Sequence, residues 1–115
     1  MLDDPAADAV RPICEAPKHP YKLWKISAER YLEPFLPRSF TGFDEPHNLP
    51  RQLFPKVYIH TGAMDVMRTR TIRELKSTSG KNLGYFFMSQ EDSVNIDTPL
   101  DFELAEMLLK KRATL

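Results

Sequence analysis

The stretch SVNIDTPLDFELAEMLLKKR, residues 93 to 112, is the most regular part of this sequence. Thr98 has the residue type of a helix N-cap, and Pro99 suits the first helical position because its missing N–H costs nothing there. Asp101 follows Thr98 at the spacing of a reciprocal cap. Four apolar residues then recur at helical spacing: Leu100, Leu104, Met107 and Leu108. The pattern therefore predicts a terminal helix with one apolar face and a basic last turn.

The two aspartates of this stretch have different interpretations. Capping is a sufficient structural role for Asp101. Asp97 lies before the cap and after the apolar Val94 and Ile96, which places it at the predicted exit of a strand. Strand ends in α/β sheets are where ligands collect, and a single carboxylate is typical of Mg²⁺ sites. The position leaves two readings of Asp97 open, a turn residue or a functional carboxylate.

The rest of the chain alternates between apolar runs and turn signals. Residues 8 to 16, 56 to 60, 63 to 68 and 84 to 89 are predicted strands, with the second and third separated at Thr61-Gly62. A short helix is predicted over residues 71 to 76 because Thr71 and Glu74 have capping-box spacing. Residues 77 to 84 read as a loop. The class expected is α/β.

Seven of the ten prolines fall between residues 17 and 55, which excludes long helices there. The same segment is rich in aromatic and aliphatic residues, too many for a solvated linker. It is predicted to be an extended arm with short strands that a partner subunit covers.

Composition excludes several classes of function. The charges of sixteen basic and sixteen acidic side chains cancel over 115 residues, so the chain has no net positive charge that would attract nucleic acid. No apolar run approaches the roughly 20 residues that span a bilayer, and residues 1 to 10 lack a signal-peptide pattern, so we expect a cytoplasmic protein. Cys14 is the only cysteine, which excludes an internal disulfide. It is read as a buried inert thiol, with a nucleophile as the alternative.

Three segments carry a resemblance to a known family. ADAVRPICEAPKHPYKLWKI, LPRQLFPKVYIHTGAMDVMR and MSQEDSVNIDTPLDFELAEMLL are similar, in order and spacing, to the C-terminal half of acylneuraminate cytidylyltransferases, also called CMP-sialic acid synthetases. The most specific pieces are HPYK (19 to 22), RQLFP (51 to 55), TGA (61 to 63) and IDTPLDF (96 to 102).

The resemblance implies a Rossmann-like α/β nucleotidyltransferase sheet. Its members use Mg²⁺ to transfer CMP from CTP to a nonulosonic acid, a nine-carbon α-keto acid sugar, with release of pyrophosphate. The Pro-rich segment 17 to 55 would be a dimerisation arm of a homodimer. Lys22 and Arg51 match the family's basic residues that meet the sugar acid, with Gln52 beside them. A guanidinium suits a carboxylate ligand because it binds both oxygens.

By the same resemblance, Asn95 and Asp97 occupy the positions of a metal-binding Asp-x-Asp pair. Asn95 offers an amide oxygen but no charge, so Asp97 is expected to be the catalytic metal ligand. Thr61 and the dipeptide Met64-Asp65 differ from the residues that are usual around the TGA turn in the family. The resemblance implies that this region contacts the sugar.

The glycine-rich loop that cradles the triphosphate in the family has no counterpart among the four glycines at 42, 62, 80 and 84. Residues 1 to 115 are therefore expected to be the C-terminal portion of a cytidylyltransferase domain, without the CTP-binding half, inactive alone and with an uncovered sheet face. Activation of the eight-carbon keto sugar acid KDO, a non-catalytic dimerising module and a generic α+β binding domain are the alternatives.

Overall fold

Residues 4 to 113 are described by a computed structural model of the chain. They form a mixed α/β structure, as expected, in two compact units: residues 15 to 57, and the flanking segments up to Cys14 and from Tyr58. The strands are β1 (Ala9–Glu15), β2 (Trp24–Ile26), β3 (Leu32–Pro34), β4 (Tyr58–His60), β5 (Val66–Met67) and β6 (Leu83–Phe87). The helices are α1 (Arg38–Thr41), α2 (Thr69–Arg73) and α3 (Pro99–Ala113), with 3₁₀ turns at Pro20–Lys22, Pro46–Asn48 and Arg51–Leu53.

Strand β1 organises the sheet of the unit that contains both flanking segments. β6 runs parallel to β1, with Ala9 opposite Leu83 and Ile13 opposite Phe87. β5 is antiparallel to β1, and β4 also pairs with β1. The predicted strand over residues 8 to 16 is confirmed, and its Cys14 is buried. The strand predicted over residues 63 to 68 shortens to Val66–Met67 because the preceding turn occupies the other positions.

One face of this sheet is apolar and exposed. Side chains alternate across a strand, so Leu83, Tyr85 and Phe87 of β6 lie on the same face. Their exposed fractions are 47%, 63% and 62%. The ring of Phe87 contacts those of Tyr85 and Tyr58, with centroids 5.4 and 5.5 Å away. The expectation of an uncovered sheet face is confirmed for the described residues.

A buried carboxylate fixes the loop at residues 77 to 82. Oδ2 of Asp8 accepts hydrogen bonds from the backbone N–H groups of Lys81 and Asn82, at 2.8 and 2.9 Å. Oδ1 accepts one from Nη1 of Arg70 at 2.8 Å. These bonds hold the pKa of Asp8 below its usual range. The bonds from Asn82 and Lys81 contribute most to this lowering. The carboxylate of Asp8 thus supplies the partner that the turn needs for its inward-facing N–H groups.

Helix α2 differs from its prediction. It begins at Thr69 rather than Thr71, and its N-cap residue Arg68 makes no side-chain capping bond. Thr71 lies inside the helix, fully buried, and its hydroxyl donates to the backbone oxygen of Asp8 at 2.8 Å. The capping-box interpretation of Thr71 and Glu74 was therefore wrong, since Thr71 serves a long-range contact that local spacing does not reveal.

Helix α3 begins as predicted. The Asp101 N–H donates to Oγ1 of Thr98 at 3.2 Å, and the Asp101 carboxylate accepts the Thr98 N–H at 3.0 Å. Its predicted apolar face is not covered by the described residues: Leu100, Leu104 and Met107 are exposed, and Leu108 is partly buried. Within residues 4 to 113, no helix has the length and apolar character needed to cross a bilayer.

The unit at residues 15 to 57 contains the hairpin β2–β3 and a small aromatic centre. Phe54, which is 6% exposed, contacts the rings of His19, Tyr21 and Phe43. Many other large apolar side chains of the unit are exposed: Leu23, Trp24, Ile26, Tyr31, Leu32, Phe35, Phe40 and Leu53. This unit therefore exposes more large apolar side chains than it buries.

Candidate functional site

Asp97 lies in the irregular segment that leads into α3. The structure shows no strand at residues 93 to 96, so Asp97 does not mark a strand exit, and that interpretation was wrong. The backbone N–H of Asp97 donates to Oδ2 of Asp101 at 3.1 Å. Its own side chain is exposed and makes no hydrogen bond or ion pair with residues 4 to 113. Asp97 is therefore available to a ligand.

Asp101 has a different environment only four residues away. Its carboxylate accepts the N–H groups of Asp97 and Thr98. These bonds, with that to Asp97 the largest contribution, lower the pKa of Asp101 from its ordinary value. The predicted capping role is confirmed, and Oδ2 of Asp101 is occupied by these two bonds.

Asn95 lies against the TGA turn. Gly62 has a φ of 74°, and a Cβ built there would come 3.4 Å from Oδ1 of Asn95. The adjacent Thr61 is buried, and its Oγ1 accepts the N–H of Ala63 at 3.3 Å. The fold thus brings together two motifs that are 33 positions apart in the sequence, TGA and the Asn95-x-Asp97 pair. A side chain at Gly62 would be strained because the backbone there is left-handed.

The C-terminal end of α3 forms an ion pair with the segment that precedes Asn95. The guanidinium of Arg112 pairs with the carboxylate of Asp92, which lowers the pKa of Asp92 and raises that of Arg112. The hydroxyl of Ser93 donates to the backbone oxygen of Ser89 at 2.6 Å. The segment is therefore attached at Asp92 near the end of α3 and at Asp97 near its start.

The donor set at Asn95 and Asp97 suits Mg²⁺ in a limited way. No cluster of three or more His, Cys, Asp or Glu side chains with metal-binding geometry occurs in the described part of the chain. One carboxylate and one amide oxygen do not form an all-protein cage. They fit an ion that keeps several waters and takes its other oxygens from substrate phosphates, as Mg²⁺ does.

The predicted sugar-acid residues lie in the other unit. Arg51 and Gln52 line a pocket of about 290 Å³, together with Glu15, His19, Phe54, Pro55 and Lys56. The guanidinium of Arg51 donates to the backbone oxygens of Ala16 at 2.9 Å and Pro17 at 3.3 Å. Its Nη2 also lies 3.4 Å from a carboxylate oxygen of Glu15. These contacts fix the plane of the guanidinium.

Lys22 is not among the residues that line this pocket. It ends the 3₁₀ turn Pro20–Lys22, where it is partly buried. Lys56 lines the pocket instead and supplies the second cation beside Arg51. With Glu15 as the only acid there, the lining has an excess of positive charge, which suits an anionic ligand. The sequence analysis missed Lys56, whose position two residues beyond the phenylalanine of RQLFP was the available signal.

His19 joins the HPYK and RQLFP segments. Its Nδ1 accepts the N–H of Tyr21 at 3.1 Å, which caps the turn that carries Lys22. Its Nε2–H donates to the backbone oxygen of Pro55 at 2.8 Å, and the imidazole is 3% exposed. His19 therefore has a structural role and positions the pocket wall. Sequence analysis quoted the motif without assigning this role.

Comparison with known proteins gives two relatives, while no family model matches the chain. The post-translational flagellin modification protein B of Campylobacter coli is 31% identical over 62 residues, which are 54% of this chain and 26% of that protein. The CMP-N,N'-diacetyllegionaminic acid synthase of Campylobacter jejuni is 34% identical over 59 residues, 51% of this chain and 25% of that protein. The matched part thus spans about a quarter of each relative. The resemblance to the acylneuraminate cytidylyltransferases is confirmed.

Proposed function

We propose that this chain is part of a cytidylyltransferase that transfers CMP from CTP to a sialic-acid-like nonulosonic acid and releases pyrophosphate. The relative named as a CMP-sugar acid synthase supports the class of reaction. One observation assigns the reaction to particular residues. The carboxylate of Asp101 caps the helix, whereas the side chain of Asp97 has no partner within residues 4 to 113.

Two groups of residues would carry the reaction. Asp97, with the amide oxygen of Asn95, would hold Mg²⁺, which when bound offsets charge on the triphosphate. Arg51 and Gln52 would bind the sugar acid in the pocket that Lys56 also lines, with Arg51 already oriented by the carbonyls of Ala16 and Pro17. Because two bonds fix the guanidinium before the substrate arrives, less side-chain entropy is lost on binding.

The CTP site is proposed to lie on polypeptide other than residues 4 to 113, as part of a Rossmann-like nucleotidyltransferase fold. The loop at residues 77 to 82 contains Gly80 and several small polar residues. Its N–H groups at Lys81 and Asn82 bind Asp8 instead. These N–H groups are therefore not free to bind a phosphate, and the chain alone is expected to be inactive.

Residues 17 to 55 are proposed to mediate a homodimer. The exposed aromatic and aliphatic side chains of β2, β3 and their surroundings support this role. Sedimentation of the purified chain should show a species larger than its 13.3 kDa mass. A compact monomer at micromolar concentration would exclude the arm as a dimer interface. A non-catalytic dimerising module is the second candidate, favoured by the same exposed surface. A cytoplasmic location stays a prediction.

Pyrophosphate release tests the proposed reaction. The chain is mixed with CTP, Mg²⁺ and N-acetylneuraminate, alone and with a separately expressed N-terminal half of the Campylobacter jejuni relative. We expect release only in the mixture, and its loss with Asp97→Ala but not with the exposed helix control Glu103→Ala. A faster reaction with KDO than with the nine-carbon acid would transfer the assignment to the eight-carbon class. Release that survives Asp97→Ala would contradict the assigned role of Asp97.

A further inference from the structure

The segment between β4 and β5 forms a bulge. Strand β6 pairs with one edge of β1, so β4 and β5 share the other edge. On that edge the N–H of Thr61 donates to the backbone oxygen of Pro12 at 3.0 Å, and the first residue of β5 lies opposite Val10. Only Arg11 lies between these two positions of β1, whereas residues 62 to 65 occupy the same interval on the other side. These residues therefore leave the ladder, as bulges beside active sites often do.

Two side chains close the base of this bulge. Nε2 of His60, the last residue of β4, lies 2.7 Å from Oδ1 of Asp65, the residue that precedes β5. Oδ2 of the same carboxylate lies 3.9 Å from Nε of Arg11, the residue of β1 opposite the bulge. The side chains of these three residues are between 28% and 39% exposed. The hydrogen bond between His60 and Asp65, termed the clasp below, thus joins the two ends of the bulge.

The bulge supports the side chain of Asn95. A Cβ built at Gly62 would have the amide atoms Oδ1, Nδ2 and Cγ of Asn95 as its nearest neighbours, at 3.4, 3.7 and 3.9 Å. Asn95 is exposed, and its side-chain amide makes no hydrogen bond with residues 4 to 113. The position of this amide therefore depends on contact with the backbone of Gly62.

The two ends of the bulge are held in different ways. At one end Thr61 is buried, its N–H is bound to β1, and its Oγ1 accepts the N–H of Ala63 at 3.3 Å. The other end, at Asp65, is held by side chains through the clasp. A site with one carboxylate and one amide oxygen has few protein donors, so disorder in either donor lowers its affinity for a ligand.

We propose that His60 and Asp65 are positioning residues for the Asn95-x-Asp97 pair. The clasp closes the bulge, the bulge supports Asn95, and the two oxygen donors are thereby ordered for a divalent cation. Neither His60 nor Asp65 contacts the cation in this arrangement. The inference rests on the proposed function, in which Asn95 and Asp97 hold Mg²⁺. The family resemblance does not supply this role, since Met64-Asp65 differs from the residues usual at that place.

Mn²⁺ binding to the full 115-residue chain tests the inference without requiring turnover. Mn²⁺ suits the same oxygen donors as Mg²⁺, and its unpaired electrons broaden the NMR signals of nearby nuclei. In ¹⁵N-labelled protein, the side-chain amide of Asn95 and the backbone N–H of Asp97 report on the site. The broadening that Asp97→Ala removes is the specific part of the titration.

Variants of the clasp should change this specific binding. Asp65→Ala is expected to weaken it about tenfold, an effect typical of removing a residue that orients a metal ligand. Asp65→Asn keeps an oxygen that accepts from His60 and should restore most of the affinity. The double variant His60→Ala/Asp65→Ala should bind no more weakly than Asp65→Ala, because both changes remove the same contact. Asp44→Ala removes an exposed carboxylate paired with Arg38 in the other unit and is the matched control.

The outcomes separate this inference from the proposed function. A wild-type chain without Asp97-dependent broadening would overturn the metal site and the inference with it. Asp97-dependent broadening that Asp65→Ala leaves unchanged would overturn the clasp alone. The melting temperature of Asp65→Ala should stay close to that of wild type, because both clasp side chains are partly exposed. If Asp65→Asn restored a lowered melting temperature without restoring Mn²⁺ affinity, the clasp would have only a structural role.

Discussion

The imidazole of His19 donates a hydrogen bond from Nε2 to the backbone oxygen of Pro55, at 2.8 Å. This bond joins segments that are 36 positions apart in the sequence and holds together the two motifs expected to meet the sugar acid. The guanidinium of Arg51 adds bonds to Ala16 and Pro17 across the same junction. The pocket is therefore built by contacts among its own motif residues.

Replacing His19 with Ala should destabilise the unit at residues 15 to 57. The backbone oxygen of Pro55 would lose its donor and the Tyr21 N–H its acceptor, which together cost about 1–3 kcal/mol. Urea unfolding followed by the fluorescence of Trp24, the single tryptophan, reports on this unit. The exposed neighbour Lys18→Ala is the control, and equal stability of the two variants would contradict a structural role for His19.

Gly80→Ala should be more damaging than Gly42→Ala. Both glycines have positive φ, 69° and 79°, so either alanine costs roughly 1–2 kcal/mol in backbone strain. A Cβ at Gly80 would also lie 2.3 Å from Cβ of Asp8, whereas a Cβ at Gly42 meets nothing within 4 Å. We expect a total of roughly 2–5 kcal/mol for Gly80→Ala. Thermal unfolding of the two variants measures the difference, and similar melting temperatures would show that the loop yields to Asp8.

Thr98→Ala and Asp97→Ala should separate stability from activity. Loss of the Thr98 hydroxyl removes the N-cap bond of α3 and costs about 1 kcal/mol, with turnover in the mixed assay retained. Asp97→Ala removes an exposed carboxylate and should leave the melting temperature unchanged while turnover disappears. Asp101→Ala should behave like Thr98→Ala. If Asp101→Ala abolished turnover in a folded protein, the division of roles between the two aspartates would be wrong.

Acid should weaken the sheet unit through Asp8. Its hydrogen bonds to Asn82, Lys81 and Arg70 lower its pKa below the ordinary 3.8. A depressed folded-state pKa gives stability that is complete above the unfolded value and is lost as pH falls through the folded value. Asp8→Asn should therefore be less stable than wild type at pH 7, and the difference should shrink as pH falls below 3.8. Urea midpoints between pH 2 and 7 test this, and a difference that stays constant would exclude the linkage.

Local sequence determined the parts of this protein that depend on neighbouring residues. The cap at Thr98, Pro99 and Asp101 was predictable because its bonds join residues three or four positions apart. The strand around Cys14 was predictable because Val10, Ile13 and Cys14 form a short apolar segment of strand-forming residues. Four short motifs were also enough to indicate the cytidylyltransferase resemblance, which the comparisons confirm.

Tertiary structure alone decided which side chains remain available for chemistry. Thr71 has capping spacing but binds Asp8. The N–H of Lys81, in the loop at residues 77 to 82, binds Asp8 as well. Lys56 rather than Lys22 lines the pocket with Arg51, and Asp65 meets His60 and Arg11 from separate elements. The bonds to Asp8 join residues 63 and 73 positions apart, and strand register and loop packing select the other partners. Local propensity carries no information about them, because the energy of a buried polar contact depends on which group the fold places opposite it.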